Sequence, residues 1–169
     1  VEPDMEQYRD ITKALFLARV PNLAFAQDNI LIASLDKIAK EYKLDYSLPG
    51  GNLSMESILQ KNKNMIYTAD TRHLHAIHKQ FGTCGINKLC FTSMKDQYIT
   101  RKYFSGTKLI YPLNFVDYRL DKALEELKEF SGFTYYGGKH YESILTRFLQ
   151  CWYLPVKYNF DKRKSHFSS

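Results

Sequence analysis

The chain has 169 residues, is 44% hydrophobic and 15% aromatic, and carries a net charge of +6. That composition excludes a disordered polymer and leaves material for a real core. No apolar run approaches the ~20 residues that a membrane span needs, so no membrane partner is expected.

The charge is unevenly placed. Residues 51–112 hold nine Lys or Arg against three acids, whereas residues 1–50 hold six against eight. Three cysteines (Cys84, Cys90 and Cys151) form no disulfide framework, and their odd number predicts an intracellular, reducing compartment. Val1-Glu2-Pro3-Asp4 lacks the pattern of a secretory signal.

In chain order, Pro3 and an acidic first turn predict a helix over residues 4–19, whose Ala14-Leu15-Phe16-Leu17-Ala18 run is apolar all round and implies burial on more than one side. A second helix starts near Asp28 and places Leu31, Leu35, Ile38 and Tyr42 on one stripe. Ser47-Leu48-Pro49-Gly50-Gly51-Asn52 is a turn cluster. Ser54 caps a short helix over 54–62, and residues 65–68 suit a short strand. Asp70 caps the next helix, whose Leu74, Ile77, His78 and Phe81 keep helical spacing until Gly82 closes it in the C′ position.

Residues 87–94 are expected to form a third short helix after the tight connector Gly82-Thr83-Cys84-Gly85. Residues 98–104 are rich in β-branched and aromatic side chains, Ser105-Gly106 reads as a hairpin turn, and 108–113 as the returning strand. A helix over 117–130 follows, with Leu120, Ala123, Leu124 and Leu127 inward and Gly132 closing it. The last helix puts Tyr141, Ile144, Leu145, Phe148, Leu149 and Trp152 on one face and stops at Pro155. Val156, Tyr158 and Phe160 alternate like a final strand.

These elements predict an α+β fold, mostly helical, with a winged-helix-like centre (helices plus a β-hairpin). The expected division is an N-terminal helical region at 1–50, a basic winged-helix-like region at 51–113, and a C-terminal helical region at 114–169 with a short terminal strand, the whole forming one compact unit. In a winged helix the helix over 87–94 would read the major groove and the turn at Ser105-Gly106 would be the wing tip. Lys88, Lys95, Arg101, Lys102 and Lys108 would then grip phosphates, with Asn87, Thr92 and Ser93 as polar readers.

The functional expectation is therefore a non-enzymatic DNA- or RNA-binding module that works within a larger assembly of protein subunits. The alternative is a protein-docking subunit that touches no nucleic acid, with the many Tyr and Phe and the first and last helices forming its contacts. A small enzyme with a Cys/His or metal site is the second alternative. Zinc would need four N or S ligands, and His75, His78, Cys84 and Cys90 are the right types at a spacing that no zinc knuckle uses. No cofactor is therefore expected. Gly137-Gly138-Lys139 before a helix could seat an anion, and Lys162-Arg163-Lys164 is a short basic tail.

Overall fold

The computed structural model describes residues 2–53, 67–104, 106–137 and 141–161. The helix expected at 54–62, the start of the strand at 65–68, Ser105 of the expected turn, the Gly138-Lys139 pair and the 162–164 tail lie outside the described residues. Among the described residues the protein is mostly helical with a small two-strand parallel sheet, an α+β arrangement at the coarse level. No helix among the described residues is long and apolar enough to cross a membrane. The chain divides into two units: unit 1 comprises Val1–Ser47 and Asn62–Lys108, and unit 2 comprises Leu48–Lys61 and Leu109–Ser169.

In unit 1, α1 (Met5–Leu17) begins where the Asp4 side chain accepts the Gln7 N–H at 3.1 Å, which satisfies one of the helix's orphan donors. α2 spans Phe25–Glu41, and α3 spans Thr71–Phe81 under an Asp70 cap that accepts from the His73 N–H at 3.1 Å. α1 packs on both α2 and α3. The core forms between them: Ile11, Ala14 and Leu15 from α1, Phe25, Ala26 and Ile30 from α2, and Leu74 and Ile77 from α3.

Two burial expectations need correcting. Leu17 is exposed, so the apolar run of α1 buries one face only. Leu31 and Leu35 of α2 and its C-cap Tyr42 are exposed, and the buried stripe is Phe25, Ala26, Asn29, Ile30 and Ala33. Small residues let α2 approach its neighbours closely, and an amide supplies hydrogen bonds there; bulk alone pointed to the wrong face. Gly82 caps α3 in extended backbone (φ −75°) rather than in a left-handed C′ position. Its lack of a side chain serves a close approach, because a Cβ there would lie 2.3 Å from His78 Nε2 and 2.6 Å from the His78 carbonyl oxygen.

The largest departures follow α3. Residues 87–93 are irregular rather than helical, and the segment expected as the first hairpin strand lies in a π-helix, Asp96–Phe104. Among the described residues, neither the recognition helix nor the hairpin of a winged helix is formed. The helical start is set by a reciprocal cap. Asp96 Oδ2 accepts from the Ser93 N–H at 3.0 Å and from its hydroxyl at 2.6 Å, while the Asp96 N–H donates to Ser93 Oγ at 3.2 Å. Arg101 then ties the π-helix to Asp36 of α2. β1 (Tyr46–Ser47) pairs with β2 (Lys108–Leu109), with the Lys108 N–H donating to the Asp45 carbonyl at 2.8 Å.

In unit 2, α4 (Leu120–Ser131) ends at Gly132 in the left-handed region (φ 68°), as the sequence leads one to expect. Its stripe does not turn inward: no residue of α4 is buried. Further on, α5 (Ile144–Phe148), a π-turn (Leu149–Tyr153) and α6 (Leu154–Tyr158) run on as consecutive helical turns. Pro155 therefore does not stop the helix, and the segment holding Val156 and Tyr158 is helical rather than extended. Proline lacks the N–H that an α-helix would donate four residues back, and its ring crowds that carbonyl. Widening Leu149–Tyr153 into a π-turn just ahead of Pro155 relieves both demands.

Candidate functional site

The irregular chain from Gly82 to Ser93 has no ladder of its own, so its buried polar groups must find partners elsewhere. Three polar side chains on the buried stripes of α1 and α2 provide them. Asp10 accepts the Thr83 N–H at 3.0 Å, the Thr83 hydroxyl, the Cys84 N–H at 3.3 Å and His78 Nε2 at 2.8 Å. Gln7 accepts the Lys88 N–H at 2.9 Å and donates to Asn87 Oδ1 at 3.1 Å. Asn29, fully buried, donates to the carbonyls of Thr68 (2.6 Å) and Thr92 (2.8 Å) and accepts the Thr92 N–H at 3.0 Å. Burial pushes the Asp10 carboxyl up, but the Thr83, His78 and Cys84 hydrogen bonds outweigh it and hold it well below the usual carboxylate range.

This network, a helix cap and an ion pair engage five of the eight residues expected to contact nucleic acid. Asn87 and the Lys88 backbone are fastened to Gln7, and Lys88 Nζ sits 3.0 Å from Asp4. Thr92 is buried against Asn29, Ser93 caps the π-helix, and Arg101 is held by Asp36. Lys95, Lys102 and Lys108 are exposed and form no ion pair among the described residues, and Lys102 lies 5.2 Å over the Tyr103 ring.

The four metal candidates do not converge. His78 and Cys84 both bond Asp10, His75 lies edge-on to Phe91 with ring centroids 5.3 Å apart, and Cys90 faces a cleft elsewhere in unit 1. Among the described residues no three His, Cys, Asp or Glu side chains are grouped to hold an ion. Nor is Cys84 set up as a nucleophile. Burial and then the Asp10 charge push its thiol up, away from the thiolate that attack requires.

One feature has no counterpart among the sequence-based expectations, and a second divides a face that the sequence predicts whole. The first is a cleft of about 580 Å³ in unit 1 between α2, the Cys90-Phe91-Thr92 segment and the π-helix, with Gly106 and Thr107 also lining it. The second is a row on the last helical run of unit 2. Ile144, Phe148, Trp152 and Val156 are spaced four apart and are 88%, 36%, 55% and 66% exposed, while Leu149, Tyr153 and Leu154 are buried. Phe148 and Trp152 stack, with centroids 5.2 Å apart and planes 26° from parallel. In a plain α-helix a four-residue spacing drifts about 40° per step. The π-turn, closed i to i+5, takes an extra residue per turn and counters that drift, which keeps the row on one side.

No protein-family model matches this chain, nor does a curated protein or a solved structure.

Proposed function

We propose that the protein is a non-enzymatic docking subunit whose contact element is the helical run of unit 2. The observation that carries this reading is the exposed row Ile144, Phe148, Trp152 and Val156. An amphipathic helix presenting apolar anchors at such spacing suits a hydrophobic groove, and stacked aromatics supply rigid contact area at low entropic cost. The charge beside the row selects the occupant. Between residues 143 and 160 the only charged side chains are Arg147 and Lys157, so two copies face to face would oppose like charges. A different protein with an acid-rimmed apolar groove fits.

Trp152 is the only tryptophan, so its emission reports on this row directly. A photo-crosslinking residue at position 148 should give a discrete heterologous adduct, identified by mass spectrometry, that Trp152→Asp abolishes while the melting temperature holds. An adduct that survives Trp152→Asp, or one formed only with a second copy, would overturn the reading.

Contact with nucleic acid is the second reading, and it rests on Lys95, Lys102 and Lys108 standing exposed outside ion pairs among the described residues. Contact through these three cations would give a shallow dependence of affinity on salt, with a slope of about −3 in log–log terms. Anisotropy with duplex DNA and structured RNA measures it, and no binding at low salt would remove it.

A further inference from the structure

We infer that the unit 1 cleft is a binding site for a small amphipathic anion, an apolar or aromatic body ending in a carboxylate, phosphate or similar group. Its volume of about 580 Å³ falls within the range of ordinary ligand pockets. The walls divide by chemistry. Ala33, Ala39, Leu44, Phe91 and Phe104 make an apolar lining, and the small alanines leave the space that larger side chains would fill.

Four cations and three acids line the cleft, but they are not equally available. Asp36 is taken by Arg101, and Asp96 by Ser93. Lys37, Lys40 and Lys43 form no ion pair among the described residues, and they outnumber the remaining acid, Asp45. An apolar lining with surplus ammonium groups beside it favours a ligand that is greasy at one end and negative at the other. Neither a neutral hydrocarbon nor a free inorganic anion would use both halves of this lining.

Cys90 lines the cleft and gives a local reporter, while Cys84 and Cys151 serve as internal controls. The probes are 1-anilinonaphthalene-8-sulfonate, an aromatic body with one anionic group, and N-phenyl-1-naphthylamine, its uncharged counterpart. Maleimide labelling of the full chain is followed at each cysteine by mass spectrometry. A ligand that covers the thiol slows its labelling about tenfold at ten times its Kd. The sulfonate should protect Cys90 to that extent and leave Cys84 and Cys151 unchanged, with the neutral probe protecting less. Lys37→Glu with Lys40→Glu, both on the exposed side of α2, should leave the melting temperature alone and raise the sulfonate Kd about tenfold, the effect of 1.4 kcal/mol, so that protection at the same concentration falls to about twofold. An unprotected Cys90, equal protection by the two probes, or protection indifferent to the lysine changes would overturn the proposal.

Discussion

In unit 1, three helices turn their apolar stripes toward one another, and the polar side chains on those stripes hold an irregular segment in place. In unit 2, α4 buries nothing, and among the described residues the only buried apolar side chains are Leu149, Tyr153 and Leu154. Both units are rich in large apolar residues, so composition does not explain the contrast. The difference lies in what the elements bury: in unit 1 the side chains of Gln7, Asp10 and Asn29 fasten the chain between Gly82 and Ser93 to α1 and α2, whereas in unit 2 the large apolar residues of α4 and of the last helical run stay largely exposed. A satisfied polar network of the first kind fixes a unique packing. A region of the second kind leaves surface free for association.

The sharpest way to break this comparison is to remove the amide at the centre of unit 1. Asn29→Leu fills the space but strips the buried Thr92 of the partner to its N–H and carbonyl, and the half-buried Thr68 of the partner to its carbonyl. At the usual cost of unsatisfied buried groups this should destabilise the chain by about 4 kcal/mol. Urea unfolding should show a lower midpoint with an unchanged slope. A loss below about 1 kcal/mol would mean that Asn29 does not organise unit 1.

Asp10→Ala comes next, at about 3 kcal/mol, because it strips the hydrogen-bond acceptor from Thr83, Cys84 and His78 together. Acid sharpens this test. The folded carboxyl is held below its unfolded value, so its stabilisation is fully present above the unfolded pKa of about 3.9 and fades as pH falls below it. The wild type should therefore lose melting temperature more steeply than Asp10→Ala as pH drops from about 5 to about 2. Parallel curves would show that Asp10 contributes nothing through its charge.

Much of unit 1 is legible in the amino-acid sequence. The spacing and caps of α1 and α3 place both to within a residue or two, and Asp70 caps as expected. Gln7 and Asp10 on the stripe of α1, and Asn29 on that of α2, are the signal for buried polar hubs: polar residues repeated at core positions. That signal is hidden when stripes are scored by bulk alone, which is why Leu31 and Leu35 mark the wrong face of α2. Ser93-Met94-Lys95-Asp96 likewise carries a helix-start pattern, which the β-branched and aromatic content of the next residues masks. Pro155 misleads because a π-turn absorbs a proline that an α-helix would not. The cleft is not legible at all, since its lining joins α2 to residues some fifty or more positions away, and no local pattern encodes that meeting.

The smallest effect tests the open side of the comparison. Leu127 sits on the amphipathic stripe of α4 together with Leu120, Ala123 and Leu124, the pattern of a core-facing helix, yet it is 45% exposed. A core leucine truncated to alanine costs about 2–5 kcal/mol, because its contacts vanish and a cavity remains. A leucine already half in water has few contacts to lose and leaves no cavity, and alanine is the better helix former. Leu127→Ala in the isolated chain should therefore change stability by less than about 0.5 kcal/mol. The same substitution in unit 1, Leu74→Ala, removes a side chain with no exposed surface and should fall in the core range. If the two substitutions cost the same, the stripe of α4 is covered in solution, and the contrast drawn between the units fails.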